Sequence, residues 1–364
     1  MAKDPVKALT RVGPKRRAVI PDKDLLKTGS TILDLAISGR RAGGFSKGRY
    51  FWMVGDSSSG KTFLMLTCLA EASINPEFNK YRFIYDNAED GALMDVERYF
   101  GKRMADRLEA PATDSEGYAF SSTIEDFYYH LDDAFDDGRP FIYILDSMDA
   151  LSSGYEKRKF DEAKKAARGG PKARGDYGDG KAKVNSTAIR RVVTKLRETG
   201  SILIVLSQTR DDIGAGIFEE QKTHAGGHAL KFYATVQLWS SVGCKIKKVV
   251  VGREQVIGVQ CKVKVRKNRI TGRERDVTIP IHFDTGIDDI GSMVDYLVYW
   301  KFWPKSDGGL INASADFDGV KKRREDLIAW LEANNLRDDL EDVVEAAWGD
   351  VERRLKVERV CKYT

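Results

Sequence analysis

Short apolar runs alternate with helical patterns through the first part of the chain. The strand-like runs are RYFWMVG at 49–55, RFIYDNA at 82–88, FIYILDSM at 141–148 and SILIVLSQ at 201–208. Between them lie amphipathic stretches with apolar residues at helical spacing, such as KTFLMLTCLAEASI at 61–74. Continuous apolar strands separated by helices are typical of a parallel sheet covered on both faces. The pattern therefore predicts an α/β protein.

Two local signals predict where helices begin. GSTILDLAISG at 29–39 has a short apolar stripe at helical spacing and ends in glycine. Ser122 and Glu125 have the spacing of a capping box, in which the serine accepts an unpaired backbone N–H and the glutamate reaches back. We therefore expect a short helix over 29–39 and a helix from Ser122 through Phe135.

The pattern changes after Gly227. ALKFYATVQLWSSV at 229–242, VGREQVIGVQCKVKVRKNR at 251–269 and RERDVTIPIHFD at 273–284 alternate with period two, which predicts antiparallel strands that extend the sheet. From about Ile287 the chain becomes helical, with a 24-residue acidic amphipathic stretch near 323–346. We expect three units: a basic arm at 1–25, an α/β core at 26–286 and a small α-rich C-terminal domain at 287–364.

Composition narrows the class of protein. Of 364 residues, 42% are hydrophobic and 32% charged, which suffices for a sizeable core and excludes global disorder. No apolar window is long enough for a membrane span, and the start lacks the apolar segment of a secretory signal. Cysteines stand far apart at 68, 244, 261 and 361 without a CxxC pair, so neither a zinc knuckle nor a disulfide framework is expected. These features predict a reduced, cytoplasmic protein.

The net charge of +5 conceals basic and acidic segments. Residues 1–23 carry seven Lys or Arg against two Asp, residues 155–183 ten against five acids, and residues 262–275 seven against one. Residues 338–352 carry seven acids and no Lys or Arg. The basic segments favour a polyanion as partner, with the acidic segment as a competitor. Charge alone supports equally well a set of solvated faces.

Residues 55–62 fit the phosphate-loop pattern G-x4-G-K-[ST] between an apolar strand and a helical pattern. Glycines let the backbone curl so that its N–H groups point at phosphate oxygens, and the following helix adds its positive end. Lys61 supplies a cation for the β- and γ-phosphates, and Thr62 offers a hydroxyl to Mg²⁺. We therefore expect an ATP·Mg²⁺ site built from Gly55, Asp56, Ser57, Ser58, Ser59, Gly60, Lys61 and Thr62.

Polar residues at the ends of the other predicted strands complete this site. Asp146 ends the third run, where it would hold Mg²⁺ opposite Thr62, although a helix-capping role is the alternative. A group that orients water is also needed, and Asp86, Glu89 and Asp90 cluster after the second run; residue chemistry does not choose among them. Gln208 ends the fourth run, either to sense the γ-phosphate or as a polar strand end.

Several of these strings together resemble one family. FIYDNAEDGAL at 83–93, FIYILDSMDAL at 141–151, SILIVLSQTRDDIG at 201–214 and especially GGHALKFYATVQL at 226–238 are similar to the RecA family of DNA strand-exchange recombinases, from about Leu26 over most of the chain. The resemblance implies a RecA-like P-loop ATPase core with a small C-terminal domain. It also implies that Glu89 polarises the attacking water, that Gln208 is the γ-phosphate switch, and that Lys267 and Arg269 reach ATP on the neighbouring subunit.

The resemblance further implies two DNA-binding segments. The first, 152–184, is the basic low-complexity stretch and is expected to be mobile; a solvated linker is the alternative. The second, 210–227, contains a large aromatic that would wedge between bases or anchor the loop in the core. The expected DNA contacts are Arg158, Lys159, Lys164, Lys165, Arg168, Lys172, Arg174, Arg210, Phe218, Gly226 and Gly227.

The function implied is that of a DNA-dependent ATPase and homologous recombinase. Such a protein forms a filament of its own copies on single-stranded DNA and pairs it with double-stranded DNA. The alternative is a regulatory ATPase with the same core that binds DNA or a protein partner without strand exchange. Leu93 and Val96 stand where the family has an acid and an aromatic around adenine, and the first DNA segment is longer than in bacterial members. These departures indicate a divergent, bacteriophage-type member.

Overall fold

The computed structural model describes residues 19–91, 93–113, 117, 119–168, 180–211, 222–224, 227–359 and 362. Its strands, in chain order, are β1 (Leu25–Leu26), β2 (Phe45–Ser46), β3 (Tyr50–Gly55), β4 (Arg82–Asp86), β5 (Leu108–Glu109), β6 (Phe141–Leu145), β7 (Ile202–Asp211), β8 (Lys222–His224), β9 (Val236–Val250), β10 (Arg253–Asn268), β11 (Asp276–His282), β12 (Gly286–Ile287), β13 (Ile311–Asn312) and β14 (Lys321–Lys322). Its α-helices are α1 (Thr31–Ser38), α2 (Lys61–Ile74), α3 (Val96–Phe100), α4 (Lys102–Ala105), α5 (Ile124–Asp136), α6 (Gly154–Ala167), α7 (Gly180–Thr199), α8 (Gly227–Tyr233), α9 (Asp289–Tyr299), α10 (Arg324–Ala333) and α11 (Arg337–Arg354).

One large sheet organises the core. Its strands lie in the order β12-β11-β10-β9-β3-β7-β6-β4-β5, with β8 paired to the end of β7. The strands from β9 to β5 are parallel to one another, whereas β9, β10, β11 and β12 pair antiparallel. This mostly parallel sheet with an antiparallel extension confirms the expected fold class. In the described part of the chain, no helix is both long and apolar enough to cross a membrane.

Helices cover both faces of the sheet, which explains the continuous apolar strands. Along β3, Phe51 and Met53 enter one buried apolar cluster, while Tyr50, Trp52 and Val54 enter the other. The first cluster includes α1, α2 and the C-terminal helices, and the second includes α5, α7 and α8. Burying each such side chain contributes about 1.5–3 kcal/mol. The C-terminal helices share this first cluster with the core, so packing does not mark a boundary at 287. The domain boundaries expected at 26 and 287 stay predictions.

The start of α1 agrees with its sequence signal, but the capping box of α5 is displaced. Ser30 accepts a hydrogen bond from the Leu33 amide, and Gly39 ends α1 with φ of 75°. In α5 the box joins Thr123 and Asp126, one residue beyond the expected Ser122 and Glu125. The Glu125 carboxylate instead accepts from the Gly154 amide at 3.1 Å. The expectation was wrong because both registers offer a hydroxyl and an acid at the required spacing.

Two stretches of regular pattern form different elements from those expected. The start of the run at 229–242 belongs to helix α8, where Leu230 is fully buried, and β9 begins only at Val236. β9 is also parallel to β3 on one side rather than antiparallel throughout. The acidic stretch forms two helices, because Asn335 adopts a left-handed conformation with φ of 54° between α10 and α11.

Candidate active site

The loop from β3 to α2 is built around two glycines. A larger residue at either position would force neighbouring atoms to move. A Cβ on Gly55 would lie 2.0 Å from the Ser240 hydroxyl oxygen, and a Cβ on Gly60 would lie 2.7 Å from Cδ1 of Ile281. Gly60 also has a left-handed φ of 82° at the start of α2. The neighbouring strands thus press against the loop and hold its curl, which directs the start of α2 toward the cavity.

The Lys61 ammonium group lies over this loop. Its Nζ donates to the carbonyl oxygens of Gly55 at 3.0 Å and Asp56 at 2.8 Å. Burial lowers the pKa of Lys61, and the nearby carboxylates of Asp146 and Glu89 oppose that shift. The arrangement holds a cation at the mouth of the loop, where it can transfer its hydrogen bonds to phosphate oxygens.

Thr62 and Asp146 meet as the phosphate-loop pattern predicts. The Thr62 hydroxyl donates to Oδ2 of Asp146 at 2.6 Å, and the Tyr85 hydroxyl donates to the same oxygen at 3.0 Å. Burial raises the pKa of Asp146, while these two hydrogen bonds oppose the rise. A hydroxyl and a carboxylate oxygen at one point form the hard oxygen set that Mg²⁺ prefers, so these residues fit the metal.

The structure separates the three carboxylates that lie at the end of β4 and just after it. Asp86 is fully buried and accepts from the hydroxyls of Ser121 at 2.6 Å and Tyr143 at 2.7 Å, so it serves the core. Asp90 has a left-handed φ of 50° in a turn. Glu89, by contrast, lines a cavity of about 660 Å³ together with the phosphate loop. Of the three acids, Glu89 is the one that faces a nucleotide-sized space.

Glu89 is joined directly to Gln208. The Gln208 side-chain amide donates to Oε1 of Glu89 at 2.8 Å, and the Ser147 hydroxyl donates to the same oxygen. The Gln208 backbone amide donates to Asp149 at 2.7 Å, and the next residue, Thr209, donates to Asp56 at 2.5 Å. The end of β7 is therefore hydrogen-bonded both to the carboxylate in the cavity and to the phosphate loop.

Apolar side chains line much of the rest of the cavity, and sequence reasoning did not identify them. This wall consists of Phe63, Met94, Tyr99, Val259, Ile281 and Phe283. The Tyr99 hydroxyl donates to the backbone oxygen of Phe283 at 2.7 Å, and the Phe63 and Tyr99 rings meet edge to face at 5.5 Å. A cavity lined both by the phosphate-loop residues and by flat apolar rings suits a nucleotide.

Lys267 and Arg269 lie at the opposite end of the sheet from the phosphate loop. The adjacent Asn268 pairs with Val236, which pairs with Phe51 at the start of β3, about 13 Å along the strand from Gly55. Lys267 donates to the carbonyl oxygens of Lys231 and Phe232, and Arg269 donates to that of Phe232. The two cations therefore cap the end of α8 and do not reach the phosphate loop of their own chain.

The first expected DNA segment is helical at its start, and its mobility stays a prediction. Ser153 and Glu156 form a capping box, and α6 then continues to Ala167 without a buried residue. Phe160 on this helix is 70% exposed. An N-terminal cap and helix-forming Lys, Glu and Ala outweigh the low complexity of the stretch. The helix carries Arg158, Lys159, Lys164 and Lys165, and Arg168 caps its end.

The remaining expected DNA contacts fall partly outside the described residues. Lys172, Arg174, Phe218 and Gly226 lie there. The backbone of Arg210 forms the end of β7 opposite Thr223, and Gly227 begins α8. The second expected DNA segment, 210–227, thus begins within the last residues of β7, two residues after Gln208.

Comparison with known proteins agrees with these motifs. A family model described as the RecA N-terminal domain matches residues 170–288. "Protein RecA" of Helicobacter pylori (strain P12) is 32% identical over 305 residues, which cover 82% of this chain and 76% of that protein. The chain belongs to the RecA family. "Protein RecA" of Cytophaga hutchinsonii is 30% identical over 286 residues, covering 76% of this chain and 69% of the relative. The counterpart in Helicobacter acinonychis (strain Sheeba) is 31% identical over 307 residues, covering 82% and 76%.

Membership of the RecA family confirms the resemblance, while these bacterial relatives leave the expectation of a bacteriophage-type member untested. In this RecA family chain, Leu93 is 86% exposed and takes no part in the cavity. Tyr99, one helical turn after Val96, lines the cavity instead. An aromatic displaced by one turn along an amphipathic helix was the sequence signal that could have identified this residue.

Proposed function

We propose that this protein is an ATP-dependent homologous recombinase that acts in the cytoplasm. It forms filaments on single-stranded DNA, promotes pairing and strand exchange with double-stranded DNA, and hydrolyses ATP faster when DNA is bound. The observation that carries this proposal is the hydrogen bond between Gln208 and Glu89 at the end of β7. That contact joins the carboxylate beside the phosphate loop to the strand that continues into the second DNA segment.

The cavity residues divide the work of binding ATP. Backbone amides of residues 55–60 and the start of α2 bind the phosphates, and Lys61 exchanges its two carbonyl contacts for phosphate oxygens. Tyr99 and Phe283 pack against the base. Mg²⁺, held by Thr62 and Asp146, would neutralise phosphate charge and orient the terminal phosphate.

Glu89 is the group proposed to orient and polarise the attacking water. Its Oε1 accepts hydrogen bonds from Gln208 and Ser147, so its orientation is fixed before a substrate arrives. A carboxylate aligned in this way can accept the water proton as the new P–O bond forms, while the bond between the γ-phosphorus and the bridging oxygen breaks and ADP leaves. Gln208 then responds to the presence or loss of the terminal phosphate because it shares the cavity with that carboxylate.

A second protomer is proposed to complete the site. Lys267 and Arg269 lie about 13 Å from the phosphate loop of their own chain along the strand direction, which favours a role at another protomer's nucleotide. Two cations there stabilise the charge that develops on the transferred phosphate, as arginine fingers do. A site shared in this head-to-tail manner generates a helical filament.

The DNA-binding surface is proposed to combine the described helix α6 with the segment after β7. Cations on α6 contact phosphates without reading sequence, and Phe160 is exposed for stacking on a base. The segment after β7 is ordered or released through Gln208. ATP then acts as a switch on the affinity of the filament for a single strand.

Steady-state ATP hydrolysis with and without single-stranded DNA tests the proposal. We expect stimulation by the single strand, no turnover for Lys61→Ala, and normal turnover for the exposed Lys80→Ala control. Negative-stain images with ATP and single-stranded DNA should show filaments. Equal turnover with and without DNA, together with an absence of filaments, would contradict the recombinase function and support a regulatory ATPase.

A further inference from the structure

The strands β9 and β10 continue beyond the sheet as a two-stranded ribbon. Pairing of β9 with β3 ends at Ser240, and pairing of β10 with β11 ends at Gly258. Beyond that point, residues 247–256, which we call the ribbon, pair only with each other within the part of the chain that the structure describes. The ribbon extends for about 10 Å from Lys247 to Val250.

The turn at the ribbon tip carries an unusual residue. Val251 and Gly252 both have positive φ, 50° and 74°, as the two-residue hairpin turn of type I′ requires. Asn-Gly or Asp-Gly usually fills that turn, because a β-branched side chain is strained in the left-handed region. Val251 is also 97% exposed, and Val249 beside it is 64% exposed. An asparagine would suit the free protein better, so the valine favours a contact outside the protomer.

The charge of the ribbon indicates what that contact is. Lys247, Lys248 and Arg253 are exposed, and the one acid, Glu254, is paired with Lys247 at 2.8 Å. An excess of cations beside an apolar tip complements a polyanion that has an apolar interior. Residues 247–256 contain no aromatic ring, whereas proteins that grip single strands stack bases on such rings. The ribbon therefore suits a stacked duplex better than an unpaired strand.

We propose that the ribbon is a contact for double-stranded DNA. The two strands enter a groove of the duplex, Lys248 and Arg253 contact phosphates on its sides, and Val251 presses as a wedge between base steps. The inference rests on the proposed function in so far as duplex DNA is the pairing partner. At the ribbon base, Val259 on β10 and Phe283 after β11 line the nucleotide cavity, so the ribbon has a fixed orientation relative to that site.

Two variants of the full-length protein test the wedge and the charges separately. Val251→Asn removes the apolar tip while relieving the turn, so the melting temperature should not fall. Its affinity for a fluorescent 30-base-pair duplex should fall about tenfold, since the tip valine is no longer buried. Lys248→Gln combined with Arg253→Gln should lower the slope of log K against log salt by about 1.8. Val357→Asn, at a valine that is 77% exposed and lies outside the ribbon, serves as the control and should change neither quantity.

Single-stranded DNA affinity and single-strand-stimulated ATP hydrolysis, measured on the same samples, separate this inference from the proposed function. Both should be unchanged in Val251→Asn. Duplex affinity equal to that of the parent protein would overturn the ribbon contact, as would an equal loss on single strands. A Val251→Asn protein that fails to self-assemble without DNA would also overturn it, by showing that another copy covers the tip. An unstimulated parent protein would instead refute the proposed function.

Discussion

Lys267 gives the proposed shared site a pH dependence that can be calculated. Burial, followed by the nearby charges of Arg269 and Lys231, lowers the pKa of Lys267 to about 8. In the free protomer its ammonium group is directed at two carbonyl oxygens at the end of α8, at 2.6 and 2.8 Å. Bridging the triphosphate of a neighbouring protomer requires this group to be charged.

The size of the effect follows from the charged fraction. With a pKa of about 8, Lys267 is about nine-tenths charged at pH 7 and about one-tenth charged at pH 9. Because a phosphate partner favours the charged form, assembly takes up a proton above pH 8. The assembly constant should therefore fall as pH rises through 8 and approach a tenfold loss per pH unit above it.

Light scattering of filaments formed with a slowly hydrolysed ATP analogue measures this constant between pH 6.5 and 9.5. Lys267→Arg keeps its charge over the whole range, so its curve should be flat where the parent protein declines. Lys262→Arg, an exposed position on the same strand, is the matched control and should decline like the parent. A Lys267→Arg protein with the parent's decline would show that another group titrates and would refute the reasoning.

Three further substitutions test the candidate site and the ion pairs that join helix α11 to the core. Gln208→Ala should still bind ATP, as fluorescence titration would show, but lose at least about tenfold of the DNA stimulation; retained stimulation would argue against the switch. Phe283→Ala should weaken ATP about tenfold and leave inorganic triphosphate binding unchanged, whereas equal losses would contradict a base contact. Glu341→Gln should cost about 3 kcal/mol of unfolding free energy in calorimetry, because Lys27 and Arg41 lose a partner that is 1% exposed. The exposed Asp342→Asn, which also removes a partner of Arg41, should cost less than about 1 kcal/mol.

The sequence by itself determined those features that depend on neighbours in the chain. The strand from Tyr50 to Gly55 is apolar at every position because helices cover both its faces, and the apolar run alone predicts that burial. The phosphate loop is equally recognisable from local sequence, since two glycines, a lysine and a threonine within eight residues supply its backbone freedom and its chemistry. The end of β6 then located Asp146, because parallel strands end at a common edge.

Tertiary structure decided which side chains meet. Asp86 and Glu89 both carry a carboxylate and lie three positions apart, but Ser121 and Tyr143 hold Asp86 in the core, whereas Glu89 lines the cavity. The wall of that cavity joins Tyr99 to Phe283, which are far apart in the chain and meet only when the sheet order is set. A repeat of apolar residues encodes how a segment folds, whereas a site made from distant segments exists only after those segments have packed together.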